Sequence, residues 1–136
     1  MKKAFLDTNI FIRYLTNDDP VKADQVDGLL RRAARSQINL YTSEVILAEV
    51  VWVLESFYRL DRIQVAEKIR AILHTPGLTV LGRTDMNQVV RDYVEFNVDF
   101  VDALMVAIME KNDIDQVYSY DRKHLSRFKR VSRLEP

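Results

Sequence analysis

The sequence predicts an α/β fold: a parallel sheet with helices on both faces. Three observations predict it. Short apolar runs of strand length alternate with longer segments whose apolar residues recur at helical spacing. The first four strands are separated from one another by helices, which parallel neighbours require. Two of the runs end in a lone aspartate, Asp7 and Asp121, at the strand end where ligands bind in such sheets.

Taken in order, Lys3 to Leu6 reads as a short buried strand with Asp7 at its carboxyl end. Thr8 or Asn9 then caps a helix over Ile10 to Leu15. Asp19-Pro20 is a helix start, a cap residue followed by proline at the first helical position. Val26, Leu29, Leu30 and Ala33 give that helix its apolar stripe. Ile38 to Tyr41 is a second strand. Ser43 caps a helix that is apolar on nearly every face and is expected to be deeply buried, although Glu49 lies within it.

Asp61 to Leu73 is amphipathic, with Ile63, Ala66, Ile69 and Leu73 on one stripe. Pro76-Gly77 is a turn, and Leu78 to Leu81 a third strand. Thr84 to Phe96 and Asp99 to Glu110 are helices. Val117 to Tyr120 is a fourth strand, ended by Asp121, and a last strand runs through Arg130 to Ser132.

The bulk numbers fit one domain over residues 1–136, with 48% hydrophobic and 29% charged residues. The chain has no cysteine, which excludes disulfides, thiolate metal sites and cysteine nucleophiles and fits a reducing compartment. The N-terminal apolar run is too short for a signal peptide, and no run is long enough for a membrane helix. A cytoplasmic, membrane-free protein is expected. The formal net charge of zero hides an asymmetry. Six Lys and Arg residues and no acids lie between Arg122 and Leu134. Such a basic tail suits a phosphate backbone, though a solvated terminal surface explains it too.

Four carboxylates stand beside apolar segments: Asp7, Glu49, Asp102 and Asp121. A buried carboxylate is costly unless paired, hydrogen-bonded or metal-bound. Singly, each has a structural reading: Asp7, Asp102 and Asp121 as caps or turn residues, Glu49 as half of a salt bridge. Together they suggest one acidic site, and an all-oxygen site suits Mg²⁺ or Mn²⁺. Asp102 lies near a helix N-terminus, where the dipole favours an anion. The two histidines, His74 and His124, are read as a helix-end and a surface residue. Trp52, Phe57 and Tyr58 are read as core or dimer contacts.

These residues resemble the PIN-domain family, and within it the VapC-type toxin ribonucleases. The resemblance rests on Phe5-Leu6-Asp7-Thr8-Asn9, Ala48-Glu49, Asp99-Phe100-Val101-Asp102-Ala103-Leu104 and Tyr118-Ser119-Tyr120-Asp121. It implies a single three-layer α/β/α domain with a central parallel sheet of four to five strands. It further implies that Asp7, Glu49, Asp102 and Asp121 bind Mg²⁺ or Mn²⁺, supported by Thr8, Asn9, Ser119 and Asp99. The implied activity is hydrolysis of RNA, with structured RNA such as tRNA as substrate. Implied partners are a second copy of the chain and a small antitoxin that covers the acidic groove. Arg122, Lys123 and Arg127 are candidates for RNA contact.

A non-toxin PIN nuclease of RNA processing and a non-catalytic RNA-binding scaffold share most of these features. An aspartate-nucleophile phosphatase needs a second aspartate two residues after Asp7, where Asn9 stands. A receiver domain needs adjacent acids near the first strand, and Asp7 stands alone there.

Overall fold

The computed structural model describes residues 2–136 and divides into two compact units, up to Gly82 and from Arg83 onward. The first holds β1 (Lys3–Phe5), α1 (Thr8–Leu15), α2 (Pro20–Ala34), β2 (Asn39–Ser43), α3 (Glu44–Ser56), α4 (Arg62–Leu73) and β3 (Leu78–Leu81). The second holds α5 (Met86–Glu95), α6 (Phe100–Lys111), β4 (Gln116–Tyr118), a 3₁₀ turn (Leu125–Arg127) and β5 (Ser132–Leu134).

The fold class is the predicted one, α/β with parallel strands. The strands form two ladders: β1-β2-β3 is one parallel sheet, and β4 pairs with β5 in a second. Helix pairs α1–α2 and α3–α4 make the two crossovers of the first sheet, as parallel neighbours demand.

In the first unit, Leu40, Leu47, Val50, Leu54, Val65 and Ile69 are at most 1% exposed. Each such side chain contributes about 1.5–3 kcal/mol relative to an exposed one. Helix starts are well marked. Asp19 accepts from the Lys22 N–H, with Pro20 behind it. Asp61 and Gln64 form a reciprocal capping box on α4. Gly77, at φ +79°, turns the chain into β3 where a Cβ would meet the Ala33 carbonyl.

In the second unit, Val89, Val90 and Tyr93 of α5 meet Phe100, Ala103 and Val106 of α6 in a common core. Tyr93 packs edge-on against Phe100 at 5.7 Å. Among the described residues Asp92 is the one buried charged side chain, at 1% exposure. Arg130 Nη2 reaches it at 2.8 Å, and Gln88 Nε2 donates at 2.7 Å. No helix among the described residues is long and apolar enough to cross a membrane.

Several local expectations are corrected. Asp7, not Thr8 or Asn9, caps α1, because its extended backbone lets its carboxylate accept the Thr8 N–H. The buried stripe of α4 is Val65, Ala66, Ile69 and Ile72, while Ile63 is exposed. A stripe starting at residue 65 places two adjacent rows against the core. Helix α3 is not buried on every face: Val45 and Trp52 are 74% and 66% exposed. The last strand starts at Ser132 and not Arg130, because residues 129 and 130 form a turn in which the Val131 N–H donates to the Phe128 carbonyl at 3.4 Å. Strand β4 ends at Tyr118, so Ser119 begins the following loop.

Candidate active site

In the first unit the acidic residues are set by the end of β1. Leu6 continues the ladder one residue further, donating its N–H to the Tyr41 carbonyl at 2.7 Å. Side chains alternate along a strand, so buried Leu6 sends Asp7 to the opposite side, where it is exposed. Asp7 Oδ1 accepts the Thr8 N–H at 2.7 Å. Buried Thr8 in turn donates its hydroxyl to Glu49 Oε2 at 2.5 Å. Glu49 itself is exposed, which corrects the expectation of a carboxylate enclosed by an apolar helix. It shares the outward face of α3 with Val45 and Trp52, one turn before and one turn after it. Asp7, Thr8, Asn9, Arg13, Glu49 and Tyr58 line an open concavity of about 550 Å³.

In the second unit the acids gather at the start of α6. Asp99 occupies the N-cap position, yet its carboxylate makes no cap hydrogen bond. Asp102 lies in the first turn and is half-buried. Burial is the main cause that raises its carboxyl pKa, and the charges of Asp121 and Asp99 add to it, against a lowering hydrogen bond from His124. Asp121 is held by backbone donors: its Oδ1 accepts the Lys123 N–H at 2.9 Å and the His124 N–H at 3.1 Å. These bonds, His124 N–H foremost, lower its pKa. Ser119 accepts the Asp121 N–H on its hydroxyl at 3.0 Å, which fixes the loop and leaves the carboxylate outward.

His124 is the residue that sequence reasoning placed on the surface. Its side chain is 18% exposed, and Nδ1 lies 3.2 Å from Asp102 Oδ2, 3.4 Å from Asp99 Oδ2 and 4.0 Å from Asp121 Oδ2. The signal available was its place three residues after Asp121, one turn away. His74 is exposed at the end of α4, as expected.

The structure differentiates the basic tail. Arg122 pairs with Glu135 at 3.1 Å. Arg127 donates to the Phe96 and Asn97 carbonyls at the end of α5. Lys123 is exposed; its backbone N–H donates to Asp121 and its carbonyl accepts from the Ser126 hydroxyl.

Donor atoms of Asp99, Asp102 and His124 all lie within 4.8 Å of one another. That spacing fits a divalent cation with bonds of about 2.0–2.2 Å, and the oxygen-rich set suits a hard ion. The residues present therefore fit a metal.

An α/β fold with parallel strands and acids at strand and helix ends defines a class of acidic-site domains. The PIN domain sequence model matches residues 4–134, and the chain belongs to the PIN-domain family. It is similar to the VapC ribonuclease of Aquifex aeolicus, 23% identical over 118 residues, with 87% of each chain covered. Among solved structures it is similar to Mycobacterium tuberculosis VapC20, described as a sarcin-ricin loop cleaving toxin. That match has 22% identity, a TM-score of 0.42, and covers 86% of this chain and 88% of the other. A protein of Pyrobaculum aerophilum matches at 17% identity and a TM-score of 0.36, covering 98% and 89%.

Proposed function

We propose that the chain is a metal-dependent endoribonuclease of the VapC type, the toxin of a toxin–antitoxin pair, acting as one nuclease domain over residues 1–136. The observation that carries this reading is the half-buried Asp102, grouped with Asp99, Asp121 and His124 at the start of α6. Family membership and the likeness to a curated ribonuclease support it.

In this reading Asp102 and Asp121 of the second unit hold Mg²⁺ or Mn²⁺, and Asp7 and Glu49 of the first unit are its further candidate ligands. Bound there, the cation supplies Lewis-acid stabilisation of the charge that develops on the phosphate. The protein's residues do the rest. Thr8 fixes the rotamer of Glu49 through its hydroxyl. The Lys123 and His124 N–H groups keep Asp121 ionised and aimed. Glu49 or Asp121 accepts the proton of the attacking water as the phosphorus–oxygen bond to the leaving ribose oxygen breaks, and that oxygen takes a proton from solvent. Lys123 and Arg122 attract the RNA backbone, and structured RNA such as tRNA is the substrate class. The exposed Val45, Trp52 and Phe57, each at least 66% accessible, support a protein partner, a second copy of the chain or the antitoxin. The reading places the protein in the cytoplasm.

The test is incubation of 5′-labelled small RNA with the purified chain in Mg²⁺, Mn²⁺ or chelator. Discrete products that require metal support the reading. Equal cleavage in chelator refutes the metal assignment, and intact RNA under all three conditions refutes the nuclease.

A further inference from the structure

We infer that His124 Nδ1 is a ligand of the divalent cation held by Asp99 and Asp102, and that this nitrogen makes the centre favour Mn²⁺ over Mg²⁺. The inference rests on the reading of these acids as a metal site.

The geometry is one nitrogen facing three carboxylates. Nδ1 approaches Asp102 Oδ2 at 3.2 Å, Asp99 Oδ2 at 3.4 Å and Asp121 Oδ2 at 4.0 Å. A ring nitrogen carries at most one hydrogen, so it satisfies at most one close oxygen well. Asp99 stands at a helix cap without capping the helix, although that bond is the usual use of such an aspartate. Its carboxylate approaches His124 instead. Three carboxylate oxygens, the Oδ2 atoms of Asp99, Asp102 and Asp121, face one ring nitrogen that can offer a hydrogen to only one of them, and a cation in place of that proton satisfies all three.

The ring is also placed by the chain. The His124 N–H is bound to Asp121 Oδ1 at 3.1 Å, and its carbonyl accepts the Arg127 N–H at 3.1 Å. Leu125 directly after it is 1% exposed and anchors the turn. A half-buried imidazole anchored on both sides presents Nδ1 with little loss of freedom on binding.

The chemistry then sets the preference. Mg²⁺ takes oxygen ligands and keeps several waters, whereas Mn²⁺ shares the preference for oxygen but, as a first-row transition ion, accepts an imidazole nitrogen more readily than Mg²⁺ does. Replacing one oxygen by Nδ1 therefore costs Mg²⁺ more than Mn²⁺.

The experiment uses the full chain, stripped with chelator and titrated with Mn²⁺. Free Mn²⁺ is counted by room-temperature EPR, and ¹⁴N coupling to bound Mn²⁺ is read by electron spin-echo modulation. The wild type is compared with His124→Asn and with His74→Asn as control, and Mg²⁺ is added in competition. The expected result is ¹⁴N modulation in wild type and His74→Asn, lost in His124→Asn. With it goes a fall of about tenfold or more in Mn²⁺ affinity and a smaller change for Mg²⁺. Mn²⁺ bound without ¹⁴N modulation in wild type overturns the inference and leaves the metal site standing. Modulation that persists in a folded His124→Asn overturns it too. Failure of wild type to bind Mn²⁺ refutes the metal site itself, and the inference with it. The wild-type spectrum decides the matter even where the variant does not fold.

Discussion

Thr8 Oγ1 donates to Glu49 Oε2 at 2.5 Å, tying the first turn of α1 to the middle of α3 across forty-one positions of sequence. Thr8 is 8% exposed and its neighbour in sequence is Asp7, so one buried hydroxyl sets the position of one candidate ligand and stands beside another. A hydrogen bond to a charged group contributes about 1.5–3 kcal/mol, less where the acceptor is wetted. Thr8→Val keeps the shape and removes the hydroxyl. It is expected to cost about 1–2 kcal/mol in urea unfolding. Added to Glu49→Ala, it is expected to cost much less. Strict additivity in that double-mutant cycle contradicts the coupling.

Arg130 and Asp92 form the second unit's buried ion pair, and truncating the arginine leaves a charge at 1% exposure. Gln88 still donates to the other oxygen, and Arg130 is itself one-third exposed. The loss for Arg130→Met is therefore about 2 kcal/mol, below the range for a fully enclosed pair. Replacing both partners with apolar residues is expected to recover most of it. A double variant no more stable than Arg130→Met refutes the charge-burial explanation.

Asp18 and Tyr58 give stability a pH signature. The Tyr58 hydroxyl, joined by that of Thr16, lowers the Asp18 carboxyl below its ordinary 3.8, and Asp18 raises Tyr58 above its ordinary 10.0. For Asp18 the stabilisation is present above 3.8 and lost as pH falls through the lowered value. For Tyr58 it is present below 10.0 and lost as pH rises through the raised value. Tyr58→Phe is expected to lower Tm by a constant amount at about pH 5–9, with the difference shrinking at both extremes. A difference that grows toward acid contradicts the assignment.

Lys123 and Arg127 are expected to separate binding from stability. Lys123→Ala weakens RNA binding and reduces the salt slope by about one unit without changing Tm. Arg127→Ala removes donors from the end of α5 and costs about 1 kcal/mol in urea unfolding. Lys123→Ala with an unchanged salt slope removes Lys123 from the RNA contact.

The strand-and-helix order was legible because periodicity and caps are local. Ser43, Asp19 and Asp61 each cap the helix that follows them. What failed depended on neighbours distant in sequence. Within the apolar run of α3 only Glu49, one turn from both Val45 and Trp52, marks their exposed face against the buried face of Val50 and Leu54. The start of β5 depended on where its ladder with β4 begins, at Ser132 opposite Gln116. Within each unit the site was half legible. Asp7, Asp102 and Asp121 stood out as acids at element ends, whereas His124 read as one more polar residue of a basic tail. Only its approach to Asp99 and Asp102 gives it significance.

The most direct test of the central claim compares wild type with Asp102→Asn, purified identically, on the same labelled RNA in Mn²⁺. Removing a like charge from the acidic group leaves the fold intact and the metal-free protein no less stable. The account predicts discrete cleavage products from wild type and none from the variant, which still binds RNA through its basic residues. The same products from a folded Asp102→Asn would contradict the account, because the activity would then come from elsewhere.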